Sequence, residues 1–469
     1  MAMETHQFGP NRQITAYFLT QVGSVSKTTT TATPDQDEQA VAVGRIYADF
    51  VRKATFSLHI AIYDFRLTGD AGKEFVEALN ERAKAGVDVR VAYNHSRKDR
   101  TPEVFAYLGA DPAPMGAETF VRSLDKAVLS KGIEDTAELE LPVQDEPIDP
   151  ASHLMHSKYI IRDGTLPAAA VLTGSTNFTN DAWSLQDNNI LVFERAPELA
   201  RYYSNDFGEM WDSGKIASSG RDDTGTVTID GIPVSVAFSP GQGRQIDTDI
   251  AGAIAAAQGR LLVASMVISS GAVLGALVDR AHRVSEFGGI FDATEMEMVM
   301  RDWARSSGHA QPRNANPHTG ESHHTSHGHA HGARHDSTHA RTETEAGAWH
   351  DAHHSNTRAQ ALGAASQGKA QLFASIAPLL HSKSSLPYSA DAPHNFMHNK
   401  LAVCDNTVVT GSFNFSANAT RNAENVVMVK SQEVADAYAA YVHELMKLYP
   451  HMVCRPSGRQ KRRRRSHYG

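Results

Sequence analysis

The chain has 469 residues, 41% apolar and 21% charged, which suits two or three folded domains and excludes a wholly disordered, collagenous or disulfide-scaffold protein. Its two cysteines, Cys404 and Cys454, exclude a disulfide framework and a four-cysteine zinc site. The formal net charge is −8 although the stretch Arg455 to Arg465 holds seven basic residues, and an acidic body with a basic end is not the profile of a protein that coats nucleic acid.

Met1 to Pro10 has no apolar core of the kind a secretory signal needs. Ile14 to Leu19 (ITAYFL) reads as a strand, and residues 1–38 as an N-terminal strand with a polar, Thr-rich loop. A helix from Gln39 to Lys53, a strand from Ser57 to Tyr63, a helix from Gly72 to Ala85 and a strand from Val87 to Tyr93 follow. The same order returns later. Val234 to Phe238 is a strand, Asp249 to Gln258 a helix, Arg260 to Ile268 a strand, Gly271 to Arg283 a helix and Gly288 to Phe291 a strand. Alternation of this kind predicts α/β layers with a mostly parallel sheet, and its recurrence predicts a duplicated chain. Leu261 to Val278 is 18 residues without a charge, but Ser269-Ser270-Gly271 breaks it, so we read a buried strand and a helix start rather than a membrane span.

Two similar domains are therefore expected, at 39–222 and 223–450. Within the second, residues 306–356 read as a disordered insertion: 12 of the chain's 24 histidines lie between His309 and His354, with few large apolar residues. Such a tract binds metals weakly or is simply a tolerated insertion. Residues 451–469 read as a basic, disordered tail that serves as a membrane-surface contact, a nuclear localisation signal or a solubilising end.

Chemistry is concentrated in two matching segments. The first runs His156-Ser157-Lys158, four residues, Asp163, and then Gly174-Ser175-Thr176-Asn177-Phe178. The second runs His398-Asn399-Lys400, four residues, Asp405, and then Gly411-Ser412-Phe413-Asn414-Phe415. On a strand, positions i and i+2 share a face, so His156 and Lys158 point one way, as do His398 and Lys400. A hairpin-like return brings Ser175 and Asn177, and Ser412 and Asn414, alongside as phosphate-binding groups. Two lysines and two asparagines around one point make a cradle for a phosphate. One neutral imidazole attacks phosphorus and forms a phosphohistidine, while the other protonates the leaving oxygen and then deprotonates the incoming water or alcohol. The two rings would titrate as a coupled pair. Such a scheme needs no metal and no cofactor, and the motif lacks the grouped ligands of a zinc site. Cys404 lies in an apolar strand and reads as core.

This constellation resembles the phospholipase D superfamily, marked by a duplicated H-x-K-x4-D motif followed by G-S/G-x-x-N, here in the form Gly-Ser-x-Asn. The resemblance spans roughly Ile14 to Val429 and is densest from His398 to Val429. It implies an α/β fold of two similar α/β/α-sandwich domains related by pseudo-twofold symmetry, with the active site at their interface. It implies His156 as nucleophile and His398 as acid/base, with Lys158 and Lys400 on the phosphate. Asp163 and Asp405 would act structurally. Glu424 would orient the second-half histidine, and Asp187, at a similar offset from its Gly-Ser, is the first-half candidate for that task. The reading that follows is a metal-independent phosphoric diester hydrolase, acting by hydrolysis or transphosphatidylation on a phospholipid or related diester and making peripheral contact with membranes. The alternatives are a nuclease cleaving DNA or RNA, a cardiolipin synthase-like phosphatidyltransferase, and a non-catalytic scaffold or metal-binding module. With no membrane helix in view, a cytoplasmic location is favoured.

Overall fold

The computed structural model describes residues 3–25, 32–95, 129–134, 153–221, 223–309, 365–387, 393–449 and 451. The first half contributes strands β1 (Met3–Phe8), β2 (Ile14–Leu19), β3 (Ser57–Ile62), β4 (Phe65–Arg66), β5 (Asp88–His95), β6 (Leu129–Glu134), β7 (Lys158–Arg162), β8 (Ala170–Gly174), β9 (Phe178–Thr179) and β10 (Asn188–Phe193). The second contributes β11 (Gly225–Ile229), β12 (Ile232–Ser239), β13 (Arg260–Ser265), β14 (Glu286–Asp292), β15 (His381–Lys383), β16 (Lys400–Cys404), β17 (Thr407–Gly411) and β18 (Glu424–Lys430).

Two sheets of eight strands result, ordered β1-β2-β10-β8-β7-β3-β5-β6 and β11-β12-β18-β17-β16-β13-β14-β15. Position by position, the second repeats the first. Within these two sheets, among the described residues, only β3-β5-β6 and β13-β14-β15 are parallel runs and the other ladders are antiparallel, while β4 and β9 pair in parallel as a separate two-stranded sheet. The expected mostly parallel sheet is thus corrected to a mixed one. Helix crossovers force parallel pairing after β3 and β13, whereas the motif strands return through hairpins, which force antiparallel pairing.

Burial explains the strands. In β7, β8 and β16 every residue is buried, because these central strands carry layers on both faces. Helices Pro34–Arg52 and Gly69–Lys84 cover the outer face of the first sheet through Val43, Tyr47 and Phe75. Helices Gly243–Ala256 and Gly271–Arg280 cover the second through Ile250 and Leu274. Between the sheets lie helices Pro197–Ser213 and Gln432–Leu448, whose Tyr203, Phe207, Tyr438 and Leu445 join residues of both sheets in one continuous core. That shared core fixes the halves against each other.

Several boundaries move. β1 and β2 belong to the first sheet, because β2 pairs with β10, so residues 1–38 are not a separate segment. The helix expected from Gln39 begins at Pro34, where proline suits a first helical turn and Gln36 Oε1 accepts from the Thr33 N–H at 2.9 Å. β13 ends at Ser265, short of Ile268, and the helix after it ends at Arg280. Helix Ala293–His309, unread in the sequence, runs into the start of the expected insertion. Residues 310–356 of that insertion and 452–469 of the basic tail lie outside the described residues. Among the described residues no helix is long and apolar enough to cross a membrane.

Candidate active site

Both motifs are built alike. His156 and His398 stand two residues ahead of β7 and β16, beside the bridges that pair Met155 with Ala423 and Asp187 with Met397. Each sheet end is tied to the other by backbone. The His156 N–H donates to Ala423 O at 2.8 Å, and the His398 N–H donates to Asp187 O at 3.0 Å. Returning bonds run from Ala423 N–H to Leu154 O and from Asp187 N–H to Phe396 O. Each histidine is therefore held by a strand of the opposite half.

The lysines sit two residues on, as the strand period requires. Lys158 Nζ donates to His156 O at 2.7 Å and Lys400 Nζ to His398 O at 2.6 Å, and both side chains are buried. Burial drives Lys158 down to about 7, with Glu424 and Asp64 pulling the other way. Lys400 is driven well below its ordinary range by burial and by the Lys158 charge. Two buried lysines whose charges repel each other are costly to keep protonated until an anion arrives.

Glycine is demanded at the hairpin exits. Gly174 has φ +149° and Gly411 φ +140°, and a Cβ on either would lie 2.2 Å from the carbonyl oxygen of Asn189 or Asn425. Past the glycines, Ser175 Oγ accepts from Asn189 N–H at 3.1 Å and donates to Asn188 Oδ1 at 2.7 Å. Ser412 Oγ accepts from Asn425 N–H at 2.9 Å. These hydroxyls, expected on the phosphate, are engaged in pinning the hairpins to the neighbouring strand. Asn177 Oδ1 and Asn414 Oδ1 are buried and find no hydrogen-bond partner among the described residues.

Asp163 and Asp405 lie at the far ends of β7 and β16. Asp163 accepts from the N–H groups of Thr55, Phe56 and Ser57 and from Thr55 Oγ1 at 2.7–3.0 Å. Asp405 accepts from the N–H groups of Gln258, Gly259 and Arg260 at 2.8 Å. Both occupy left-handed backbone, φ +53° and +51°, which aspartate tolerates better than most residues. Their carboxylates cap the start of the adjacent strand, β3 or β13.

The orienting residues differ from expectation in two ways. Glu424 Oε2 lies 2.7 Å from His156 Nδ1, so it serves the first-half histidine, not its own. Asp187 touches neither ring. Its carboxylate is paired with Lys383 Nζ at 2.7 Å and accepts from the Gln21 N–H at 3.0 Å and Tyr449 OH at 3.0 Å. Asn188 stands in its place, with Oδ1 3.0 Å from His398 Nδ1. The equal offset misled because the first-half loop is one residue longer: Ser175 N–H reaches Asn189 O, while Ser412 N–H reaches Asn425 O. Aligning Asn189-Ile190 with Asn425-Val426 instead of counting from the glycines pairs Asn188 with Glu424.

Electrostatics unites the two motifs. Burial lowers His156 to about 4; Glu424 raises it, and Lys158 and Lys400 lower it further. His398 is pushed well below its ordinary range by burial, then by Lys400, Lys158 and His156, with the Ser175 backbone opposing. Each ring thus feels the lysine of the other motif. Tyr63 completes the wall, its ring 4.9 Å from that of His156 and 5.3 Å from Lys158 Nζ. With both Nδ1 atoms engaged, Nε2 is the nitrogen each ring has for chemistry. Elsewhere, Asp206, Glu209 and Asp223 bring carboxylate oxygens within 4.8 Å of one another, but Asp206 already accepts from Tyr159 OH and Ser219 Oγ.

The family model described as "Cardiolipin synthase, PLD-like domain" matches residues 47–211 and 250–446. The chain belongs to the phospholipase D superfamily. Proteins named phospholipase D from Rickettsia conorii and Rickettsia bellii are each 41% identical over 58 residues, a match covering 12% of this chain and 29% of theirs. In fold, the chain is similar to the phosphatidylserine synthase of Haemophilus influenzae Rd KW20, with TM-score 0.51 and 12% identity over 88% of this chain and 85% of that one.

Proposed function

We propose that the chain is a phosphodiesterase of phospholipase D type, taking a phospholipid or related diester through a covalent phosphohistidine and passing the phosphoryl group to water or to an alcohol. One observation carries the reading. Two histidines, each fixed at Nδ1 by the opposite half, share one buried site with two lysines whose charges act on both rings. Neutral when the site is empty, the rings gain basicity as an anionic diester offsets the lysine charges. The lysines then stabilise the charge that grows on the phosphoryl oxygens.

Hydrolysis and transfer differ only in which hydroxyl the second histidine deprotonates. The family model's description and the rickettsial names both favour a phosphatidyl compound as donor. A direct test assays the purified chain in EDTA against phosphatidylcholine, phosphatidylethanolamine, cardiolipin and single- and double-stranded DNA, with and without added glycerol. His156→Ala and His398→Ala are run alongside, each expected to lose roughly 10⁴-fold or more in kcat. Head-group release lost in both variants supports the lipid reading, and a glycerol adduct adds transfer. DNA cleavage lost in both would replace the lipid by a polynucleotide. EDTA-sensitive turnover that survives both substitutions would sink the mechanism.

A further inference from the structure

We infer that Tyr63 and Asp64 make Lys158 the lysine that carries the proton of the empty site, and that Lys400 takes up a proton only as the anionic diester enters. This deepens the phosphodiester reading above and rests on it for the identity of the anion.

The two lysines stand on matched strands, and the segments beside them match as well. After β3 the Tyr63 N–H donates to Ser157 O at 3.1 Å; after β13 the Met266 N–H donates to Asn399 O at 3.1 Å. Two residues on, Phe65 pairs in parallel with Phe178, and Ile268 pairs in parallel with Phe415. The backbone therefore places Met266 where the first half has Tyr63, and Val267 where it has Asp64. Side chains at these places differ in kind. The first half offers a π face and a carboxylate; the second offers a thioether and an isopropyl group.

Both differences bear on Lys158. Its Nζ lies over the Tyr63 ring, 5.3 Å from the centroid, within the range at which a ring face attracts an ammonium group. Burial opposes the Lys158 charge, while Glu424 and then Asp64 favour it. Asp64 also pairs with Arg66, which blunts its pull, so carboxylate and ring face act together. Arg66 in turn faces Asp181, which pairs with His394 at 3.3 Å, so the charges beyond Asp64 are matched among themselves. Against Lys400 stand burial and the Lys158 charge, with Glu424, shared by both lysines, in its favour. His156 and His398 lie close enough to feel both lysines, and either ring repels them when protonated. Each Nζ donates to the carbonyl of its own histidine, 2.7 Å for Lys158 and 2.6 Å for Lys400, so that contact does not separate them.

Two ammonium groups in one buried site repel, and the first proton goes to the better supported nitrogen. That nitrogen is Lys158 Nζ. The second proton is admitted when the negative oxygens of a diester offset the repulsion. It comes from solvent to the lone pair of Lys400 Nζ, and no bond to phosphorus is made or broken in this step. The empty site is thereby spared a second buried charge, yet the full pair is present when negative charge grows on the phosphoryl oxygens. Tyr63 is on this account a positioning residue: it acts through Lys158 rather than on the substrate.

The full-length chain, isotope-labelled at lysine Cε, reports each titration by NMR, with Lys158→Met and Lys400→Met assigning the two signals. Without ligand, Lys158 is expected to titrate above Lys400. Sulfate, a tetrahedral anion that does not itself titrate near neutrality, is expected to raise Lys400 by more than Lys158. In Tyr63→Leu, with circular dichroism confirming the fold, Lys158 is expected to titrate about one pH unit lower. The alkaline limb of kcat/KM for bis(p-nitrophenyl) phosphate should fall with it. Tyr63→Phe keeps the ring face and is expected to restore both. A ring that merely fills space would lower kcat/KM in Tyr63→Leu and leave the limb in place. Asp64→Val, which copies the second half, is expected to move Lys158 in the same direction as Tyr63→Leu. Lys400 titrating above Lys158 in the empty chain, or a Lys158 titration that Tyr63→Leu does not move, would overturn the assignment. A wild-type chain whose lysines respond to sulfate as described but which turns over no diester would overturn the phosphodiester reading instead.

Discussion

The first half reaches the interface with Asp187-Asn188-Asn189 and the second with Ala423-Glu424-Asn425. Backbone duties match: in each triplet the first carbonyl braces the opposite histidine and the last receives a serine N–H. Side-chain duties do not. Asp187 is committed to a buried pair with Lys383, where the other half has only a methyl group. Asn188 offers an amide where Glu424 offers a carboxylate. The comparison teaches that duplication preserved the frame while leaving the side chains free to diverge.

The largest expected effect tests the structural side of that difference. Asp187→Ala imitates Ala423 but leaves Lys383 buried without its carboxylate, so it should cost about 3–5 kcal/mol in denaturant unfolding. Adding Lys383→Met should restore most of the loss; if it does not, the ion pair is not what Asp187 is there to make. Glu424→Gln comes next, with an expected kcat loss of roughly 10²–10³-fold from a ring that has lost its counter-charge. Asn188→Ala should lose about tenfold or less, and equal losses at both positions would erase the electrostatic contrast. Asp163→Ala should destabilise by about 1–3 kcal/mol, because it orphans the buried Ser57 N–H and two part-buried donors, with kcat unchanged in the folded fraction. Asp405, less buried, should cost about 1 kcal/mol less on the same substitution. Lys400→Met should abolish turnover yet raise stability by about 1–2 kcal/mol. The sign follows from the depressed lysine: below its ordinary titration range the unfolded chain binds a proton that the folded site resists. The gain from methionine is therefore largest below the pH at which the folded site itself takes up the proton and fades as pH rises toward that ordinary value, which melting curves at several pH values would show.

Much of this was legible in residue order. His-x-Lys on a strand, the returning Gly-Ser and the repeated strand–helix pattern led directly to two copies of one unit, because each rests on local geometry with a fixed period. Sheet direction was not legible, since the pattern of apolar residues in β7 and β8 is the same whether a buried strand has parallel or antiparallel neighbours. Nor were the exchanged partners. A single extra residue in the loop from Ser175 to Asn188 shifts the orienting position by one, and nothing in Gln186-Asp187-Asn188-Asn189 says which side chain crosses to the other half. The Lys383–Asp187 pair joins residues 196 positions apart and has no local signature. The serines misled for a related reason: a hydroxyl beside a phosphate site also serves as the nearest acceptor for a strand N–H, and in this fold that use prevails.

The crossed bracing of the histidines also bears on why the two copies are one chain. In a twofold pair of identical subunits, whatever residue one subunit presents to its neighbour is presented back unchanged. Such a pair must place the same side chain behind both rings. Only after the copies are joined covalently do positions 188 and 424 become separate letters of one gene, free to mutate independently. The Asn188–Glu424 mismatch is thus a state that a symmetric dimer of one-motif chains has no means of reaching by point mutation.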